Sequence, residues 1–453
     1  MFYSSFGPAF ASLSLVLSAS ALSTELNIVN AEISPDGFTR QGVLANGTFP
    51  GPIIKGNKAS NSLPMFGDNF QINVNNQLTN VTMETSTTVH WHGIKQRHSN
   101  WADGPAFVTQ CPIAADDSFL YHFDVPDQAG LQYCDGLRGP LIVYDPDDPH
   151  KDLYDVDDDT TVITLADWYH LPANELPVPT YRFRLISTSC HPYFNFTIDG
   201  HDNFTIIEAD GENTEPLPGI DQIQIHAAQR YSFVLEANQP NGSYWIRATP
   251  EKIVNGTPTG LAILRYRGAA DEDPSGNTTV TPQPKNPLLE PNLRVYGNVS
   301  NPTVPVLLQI LNGTYNAHDL MPNNSVQYLP RNQTIQVTMH GLRAGPHPIH
   351  LHGHSFFVIQ SAGSNGTNYV NPVLRDTVSI GTNTTDKVII RFTTDNPGPW
   401  LMHCHIDFHL AAGFALVMAE APDDVPGFVA PIPPAWNELC PKYESTHPGK
   451  LVA

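Results

Sequence analysis

HCHIDFH, residues 403–409, sets one cysteine between two histidines and brings a third histidine four residues after the second. It lies within IRFTTDNPGPWLMHCHIDFHLAAGFALVMAE, residues 390–420, which reads as an alternating strand, a Pro/Gly turn, a second strand, and a glycine leading into a closing apolar strand. The same order of parts recurs in YSFVLEANQPNGSYWIRATPEKIVNGTPTGLAILRY, residues 231–266, and in YHFDVPDQAGLQYCDGLRGPLIVYD, residues 121–145. Period-two segments such as VHWH, FNFTIDG and TIQVTMH fill much of the remainder, and no long helical pattern competes with them. These patterns predict an all-β chain of three similar β-sandwich domains. Breaks near Asp145 to His150 and in the Pro-rich stretch Asp273 to Pro291 divide it into residues 22–148, 149–284 and 285–453.

The copies are unequal. From turn glycine to closing glycine the last runs Gly398 to Gly413 and the middle one Gly242 to Gly260, but the first runs only Gly130 to Gly139. A strand is missing there, and in the last copy that strand carries HCH.

Charged residues make up only 15% of the chain, while 41 prolines and 32 glycines punctuate it, a balance suited to short strands joined by rigid turns. A formal charge of -21 and the lack of a basic patch argue against nucleic acid or an anionic membrane as partner. The first twenty-one residues are uncharged, contain the apolar run AFASLSLVL and end in Ala19-Ser20-Ala21, which reads as a signal peptide cleaved after Ala21. Sequons at Asn46, Asn80, Asn195, Asn241, Asn312, Asn332 and Asn383 agree with secretion, and no later segment has the roughly 18 apolar residues of a membrane span. In a secreted chain with five cysteines, Cys404 is the odd one out because its neighbours mark it as a ligand. Cys111, Cys134, Cys190 and Cys440 then form two disulfides in any of three connectivities.

Histidines gather in HWH (His90, His92), HPIHLHGH (His347, His350, His352, His354) and HCHIDFH (His403, His405, His409). On a strand successive side chains point to opposite faces. His90 with His92, His350 with His352, and His403 with His405 therefore each share a face. Cys404 points the other way, where His347, an odd number of positions before His350, and His409, beyond a turn, can meet it. One site of two histidines and a thiolate suits copper in electron transfer, and a separate all-imidazole site suits further copper that handles dioxygen. A closed structural zinc site has no need of a single cysteine flanked by histidines on a strand. His354 keeps the parity but is read as lying beyond the site. His98, His122, His150, His170, His201, His226, His318, His340 and His447 are read as ordinary polar or core residues.

SPDGFTR, FPGPIIKGNK, TVHWHG, NWADGPAFVTQCPI, QYCDGLRGP, HPIHLHGHSFFV, DNPGPWLMHCHIDFHLAAGF and AWNELCP together resemble the fungal laccases of the multicopper oxidase family over nearly the whole mature chain. The resemblance implies three cupredoxin-like Greek-key domains. It implies type-1 copper at His347, Cys404 and His409, type-2 copper at His90 and His350, and type-3 copper at His92, His352, His403 and His405. It places Phe414 at the non-coordinating axial position, makes Asp103 and Asp407 candidates for moving protons, and pairs Cys111 with Cys440 and Cys134 with Cys190. It also implies an extracellular monomer that takes single electrons from phenols or aromatic amines and reduces O2 to water.

Three departures stand out. A second HxH pair, which laccases carry directly before QYCDGL, is absent where PDQAG runs into LQYC, so each type-3 copper is short of one imidazole. Sequence is also missing near Pro177 and near Asn298, a pattern of internal losses that suggests an omitted exon or faulty gene model more than an evolved variant. The residue after Cys190, where many laccases place a substrate-binding acid, is His191. Two other readings follow: a secreted copper protein with impaired catalysis, and a ferroxidase, which calls for a carboxylate patch beside His347.

Overall fold

The computed structural model describes residues 21–34, 39–59, 67–81, 83–124, 137–165, 175–176, 180–189, 193–250, 259–266, 268–270, 272–275, 284–285, 287–288, 305–313, 325–341, 346–406, 409–410, 413–429 and 431–448. The segment before Ala21, the short connection at Gly130, Cys134, Cys190, His191, Asp407 and the junctions at Pro177 and Asn298 lie outside them.

Strands dominate, as the period-two segments predict. The first sheet orders Arg40–Ala45, Ala21–Ile33, Asn69–Gln77 and Ser118–Asp124, and a parallel pair, Ile54–Asn57 with Leu141–Tyr144, lies apart from it. NFQINVNNQ shows why this sheet is one-sided: Phe70, Ile72 and Val74 are buried, while the alternate Asn and Gln side chains stay at the surface. The middle region pairs a six-stranded sheet, with Phe194–Ile198 and Ser243–Pro250 at its centre, and a five-stranded sheet in which Arg230–Glu236 lies between Phe204–Ala209 and Thr180–Ser187. Phe183, Phe196, Phe204 and Phe233 fill the space between them. The last region pairs a five-stranded sheet with a four-stranded one around Trp400, Phe356 and Ile390.

One helix of thirteen residues accompanies the strands. Pro434–Thr446 is α-helical, with proline in its first turn, where the missing N–H costs nothing. Trp436, Leu439 and Tyr443, spaced by three and four, are buried against the first core together with Val306, Leu307 and Ile310 from a short helix at Val306–Leu311. Each large apolar side chain so buried contributes on the order of 1.5–3 kcal/mol. Trp436 Nε1 donates to Thr109 O at 3.0 Å, and Cys440 on this helix is disulfide-bonded to Cys111, 329 residues away. The first core is thus closed by the C-terminal end of the chain.

Candidate metal centre

Two antiparallel strands carry most of the site. Pro348–Leu351 pairs with Gly398–Cys404 so that His350 stands opposite His403 and Ile349 opposite Cys404. This register puts His350 and His403 on one face and Cys404 on the other, as the parity predicts. HWH departs from the prediction in one respect: residues 88–92 belong to no regular strand. Their alternation is set by packing, because Trp91 is buried against Tyr121 and Phe123, with ring centroids 5.4 Å away in each case, which turns His90 and His92 outward toward the cluster.

On one face, His347 Nδ1 and His409 Nδ1 are 3.0 Å apart, and Cys404 Sγ lies 3.5 Å from the first and 3.6 Å from the second. The point equidistant from these three atoms is about 2 Å from each, the length of a bond from a metal to nitrogen or sulfur. Cys404 is fully buried and takes no part in a disulfide among the described residues. The Phe414 ring packs edge-on to His347, with centroids 5.2 Å apart, and Cys404 N donates to Phe414 O at 3.0 Å. An apolar ring therefore borders the triangle.

On the other face six imidazoles converge. His352 Nε2 lies 3.1 Å from His403 Nε2, and His405 Nε2 lies 3.0 Å from His92 Nδ1. His90 stacks on His352 at 3.9 Å between centroids, and His92 on His350 at 3.8 Å. The far nitrogens decide the chemistry of the near ones. His352 Nδ1 donates to Asp103 Oδ2 at 2.9 Å and His403 Nδ1 donates to Cys404 O at 2.9 Å, so both facing Nε2 atoms carry lone pairs. Lone pairs aimed at one point suit a cation held between them. The donor set fits copper, which favours imidazole and thiolate.

Two aspartates do parallel work around the cluster. Asp103 accepts from His90 Nδ1 with its carbonyl at 2.7 Å and from His352 with its carboxylate. Asp376 accepts from His350 Nδ1 with its carbonyl at 3.0 Å, and its Oδ1 faces His92 Nε2 at 3.4 Å. Such outer partners fix which nitrogen of each ring faces the metal. Asp103 is brought into place by Gly104, at φ +97°, where a Cβ would stand 2.0 Å from Val89 O. Burial raises the Asp103 pKa, but His352 and then His90 outweigh it and hold the carboxyl well below its usual range. Burial first, then His90, pushes His352 down to about 3, so this ring is neutral at pH 7. Burial likewise depresses His92, His403 and His405.

The predicted ligands His90, His92, His347, His350, His352, His403, Cys404, His405 and His409 thus fall into the two groups that parity assigned, with Phe414 and Asp103 beside them. His354 stands apart, buried with its Nε2 2.9 Å from Glu420 Oε2. Asp376 and its partner Arg230 escaped the sequence reading. Their trace is an Arg-Asp pair, LRDTVSI, inside an otherwise uncharged segment, and an arginine opening the buried strand RYSFVLE.

Comparison with known proteins agrees with this geometry. Residues 27–148, 176–269 and 300–424 match three profiles that are each described as multicopper oxidase. Laccase-1 of Fomitopsis schrenkii is 58% identical, with 93% of this chain and 91% of that protein covered. The aligned stretch of 499 positions exceeds the 453 residues of this chain, so that relative carries internal residues this chain lacks. Laccase-5 of Trametes versicolor is 51% identical over 93% of this chain and 94% of its own length. Among solved structures, the laccase of Botrytis aclada superposes with a TM-score of 0.74 at 27% identity, covering 97% of this chain and 95% of that one. Fet3p, described as a multicopper oxidase that functions in iron import, has a TM-score of 0.79 at 23% identity over 93% and 95% of the two chains, and shows the fold alone. Fold, donor sets and relatives converge: the chain belongs to the multicopper oxidase family and, within it, to the fungal laccases.

Proposed function

We propose that this chain withdraws single electrons from phenols and aromatic amines at the site of His347, Cys404 and His409 and delivers them to the six-histidine cluster, where the short first repeat leaves reduction of O2 to water slow. The observation that carries the reading is the position of Cys404. Its sulfur closes the triangle on one face while its backbone is bonded directly to His403 and His405, which serve the cluster on the other. Two sites that face opposite ways are thus joined by a few covalent bonds. Copper bound in both sites supplies the one-electron steps and the reduction of dioxygen.

The chain's own groups supply the rest. Phe414 borders the triangle with an apolar ring, which would favour a higher potential for a copper held there. Asp103, ionised and fully buried, presents Oδ1 3.4 Å from His90 Nδ1, where that oxygen accepts no hydrogen bond among the described residues. In this reading it takes and passes a proton. Asp407 shares that role in this reading, and His191 meets the phenol. The division at residues 22–148, 149–284 and 285–453 also belongs to it, supported by the three groups of sheets.

Secretion and a monomeric state complete the reading. Asn46, Asn241, Asn312, Asn332 and Asn383 are exposed, as glycan acceptors must be, whereas Asn195 is half-buried on a strand with neighbours on both sides. No helix among the described residues is long and apolar enough to cross a membrane. The test of the electron-entry site is optical. Copper-loaded protein will show an intense thiolate-to-copper absorption in the red, and Cys404→Ser will remove it entirely. A band that survives in the variant would overturn the ligand assignment.

A further inference from the structure

We propose that Arg230, from the middle sandwich that lends no histidine to the cluster, is a positioning residue for it and acts through Asp376. The inference rests on the cluster being a copper site. Arg230 opens the strand Arg230–Glu236 and is buried. Its guanidinium grips both oxygens of Asp376, Nη1 to Oδ1 at 2.9 Å and Nη2 to Oδ2 at 2.8 Å. The same group donates to Ala228 O at 3.0 Å and Asp210 O at 2.9 Å, so the fork cannot swing. Asp210 completes the joint: its Oδ1 accepts from Arg230 N at 2.9 Å, and its Oδ2 accepts from Arg375 Nε at 2.9 Å and Thr377 N at 3.1 Å.

Beyond the fork, Asp376 Oδ1 accepts from Thr377 Oγ1 at 2.8 Å. That hydroxyl lies 3.3 Å from His92 Nε2 and 3.2 Å from His350 Nδ1. The plane of one carboxylate therefore sets the outer partner of His92 and the hydroxyl shared with His350, whose Nδ1 also meets the Asp376 carbonyl; the two rings turn opposite nitrogens inward, Nδ1 for His92 and Nε2 for His350. A bidentate arginine fixes such a plane, and a lysine cannot. Without the fork, Oδ1 is no longer held between Thr377 and His92, and His92 loses the partner that keeps its proton on Nε2.

The test compares the Arg230→Met, Arg230→Lys, Asp376→Asn and Arg375→Met variants with the wild-type protein and with the double variant Arg230→Met/Asp376→Asn. Copper beyond the thiolate site is titrated with a chelator, and the red absorption serves as a folding control. Arg230→Met is expected to weaken that copper by roughly 10- to 100-fold, the usual effect of losing an outer partner, and Arg230→Lys to recover only part of the loss. The double variant should be no worse than Asp376→Asn alone, because both act on one element. Arg375→Met, which breaks the neighbouring ion pair between the sandwiches without touching the Asp376 carboxylate, should lower thermal stability but hold cluster copper within a few-fold of wild type. Equal copper loss in Arg375→Met and Arg230→Met, or additive losses in the double variant, would reduce Arg230 to a domain fastener and overturn the proposal. A second readout uses copper-free protein labelled with 15N-histidine, in which wild-type His92 should carry its proton on Nε2 and Arg230→Met should not. An unchanged tautomer in Arg230→Met also overturns the proposal. If wild type binds no copper beyond the thiolate site, the functional reading fails while the tautomer experiment still decides the role of Arg230.

Discussion

The two faces of the strand Gly398–Cys404 hold sites of opposite construction. The triangle of His347, Cys404 and His409 is assembled from residues 347–409 of one sandwich, on a strand pair in register and the turns beside it. The histidine cluster draws on His90 and His92 from the start of the chain and on four histidines from its end, and it rests on Asp376, which the middle sandwich holds through Arg230. A local site depends on one fold unit. A site at a junction depends on every unit that meets there, so a defect in the first repeat reaches the cluster and leaves the triangle alone.

The largest effect should come from that defect. In the ligand assignment that the resemblance implies, six imidazoles would leave two type-3 positions unfilled, and the first repeat is short at Gly130 to Gly139, where the last carries HCH. Inserting an HxH strand between Gly130 and Gln132 is expected to raise oxygen consumption by orders of magnitude with the red absorption per chain unchanged. Oxygen electrode traces and spectra of both proteins give the answer, and sequencing the transcript across Gly130 to Cys134 shows whether such codons exist. Full four-electron reduction by the chain as it stands would show that six histidines suffice and would break the contrast between the sites.

Asp103 gives an intermediate test. It is the outer partner of His90 and His352 but touches no member of the triangle, so Asp103→Asn should weaken copper in the cluster by roughly 10- to 100-fold and leave the red absorption in place. Chelator titration with optical detection separates the two. A shift of the red band in this variant would mean that the faces are coupled more tightly than the hydrogen bonds indicate.

How much of this was legible in the sequence follows from the same contrast. Side-chain alternation is a property of neighbouring residues, so the assignment of His350, His352, His403 and His405 to one face and Cys404 to the other could be read from spacing. Trp91 served the same end where no strand exists, which spacing alone does not distinguish. The helix Pro434–Thr446 was legible and missed, since Trp436, Leu439 and Tyr443 have helical spacing between prolines that resemble loop punctuation. The grip of Arg230 on Asp376 joins residues 146 apart, and no local pattern announces such a pair. Tertiary placement, not propensity, made it.

The smallest effect concerns acid. His226 lies in the middle sandwich and is not a ligand. It is buried, its Nε2 has no hydrogen-bond partner among the described residues, and burial followed by the nearby Arg375 pushes its pKa down to about 3. Unfolded, the same ring takes up a proton near pH 6.5. Between those two values the unfolded chain binds the extra proton, so stability is fully present above about pH 6.5 and falls as pH drops toward 3, by up to ~1.4 kcal/mol per pH unit. His226→Phe removes this dependence and fills the same space beside Tyr193, whose ring lies 4.8 Å away. Denaturant unfolding of the copper-free protein at pH 7 and pH 5 should therefore show the variant losing roughly 2 kcal/mol less than wild type over that interval. The depressed histidines of the cluster act with the same sign, as do His122 and His201 outside it, so these groups account for acid sensitivity that survives in His226→Phe. A variant that loses stability with acid as steeply as wild type would show that His226 reaches water and its proton before the chain unfolds.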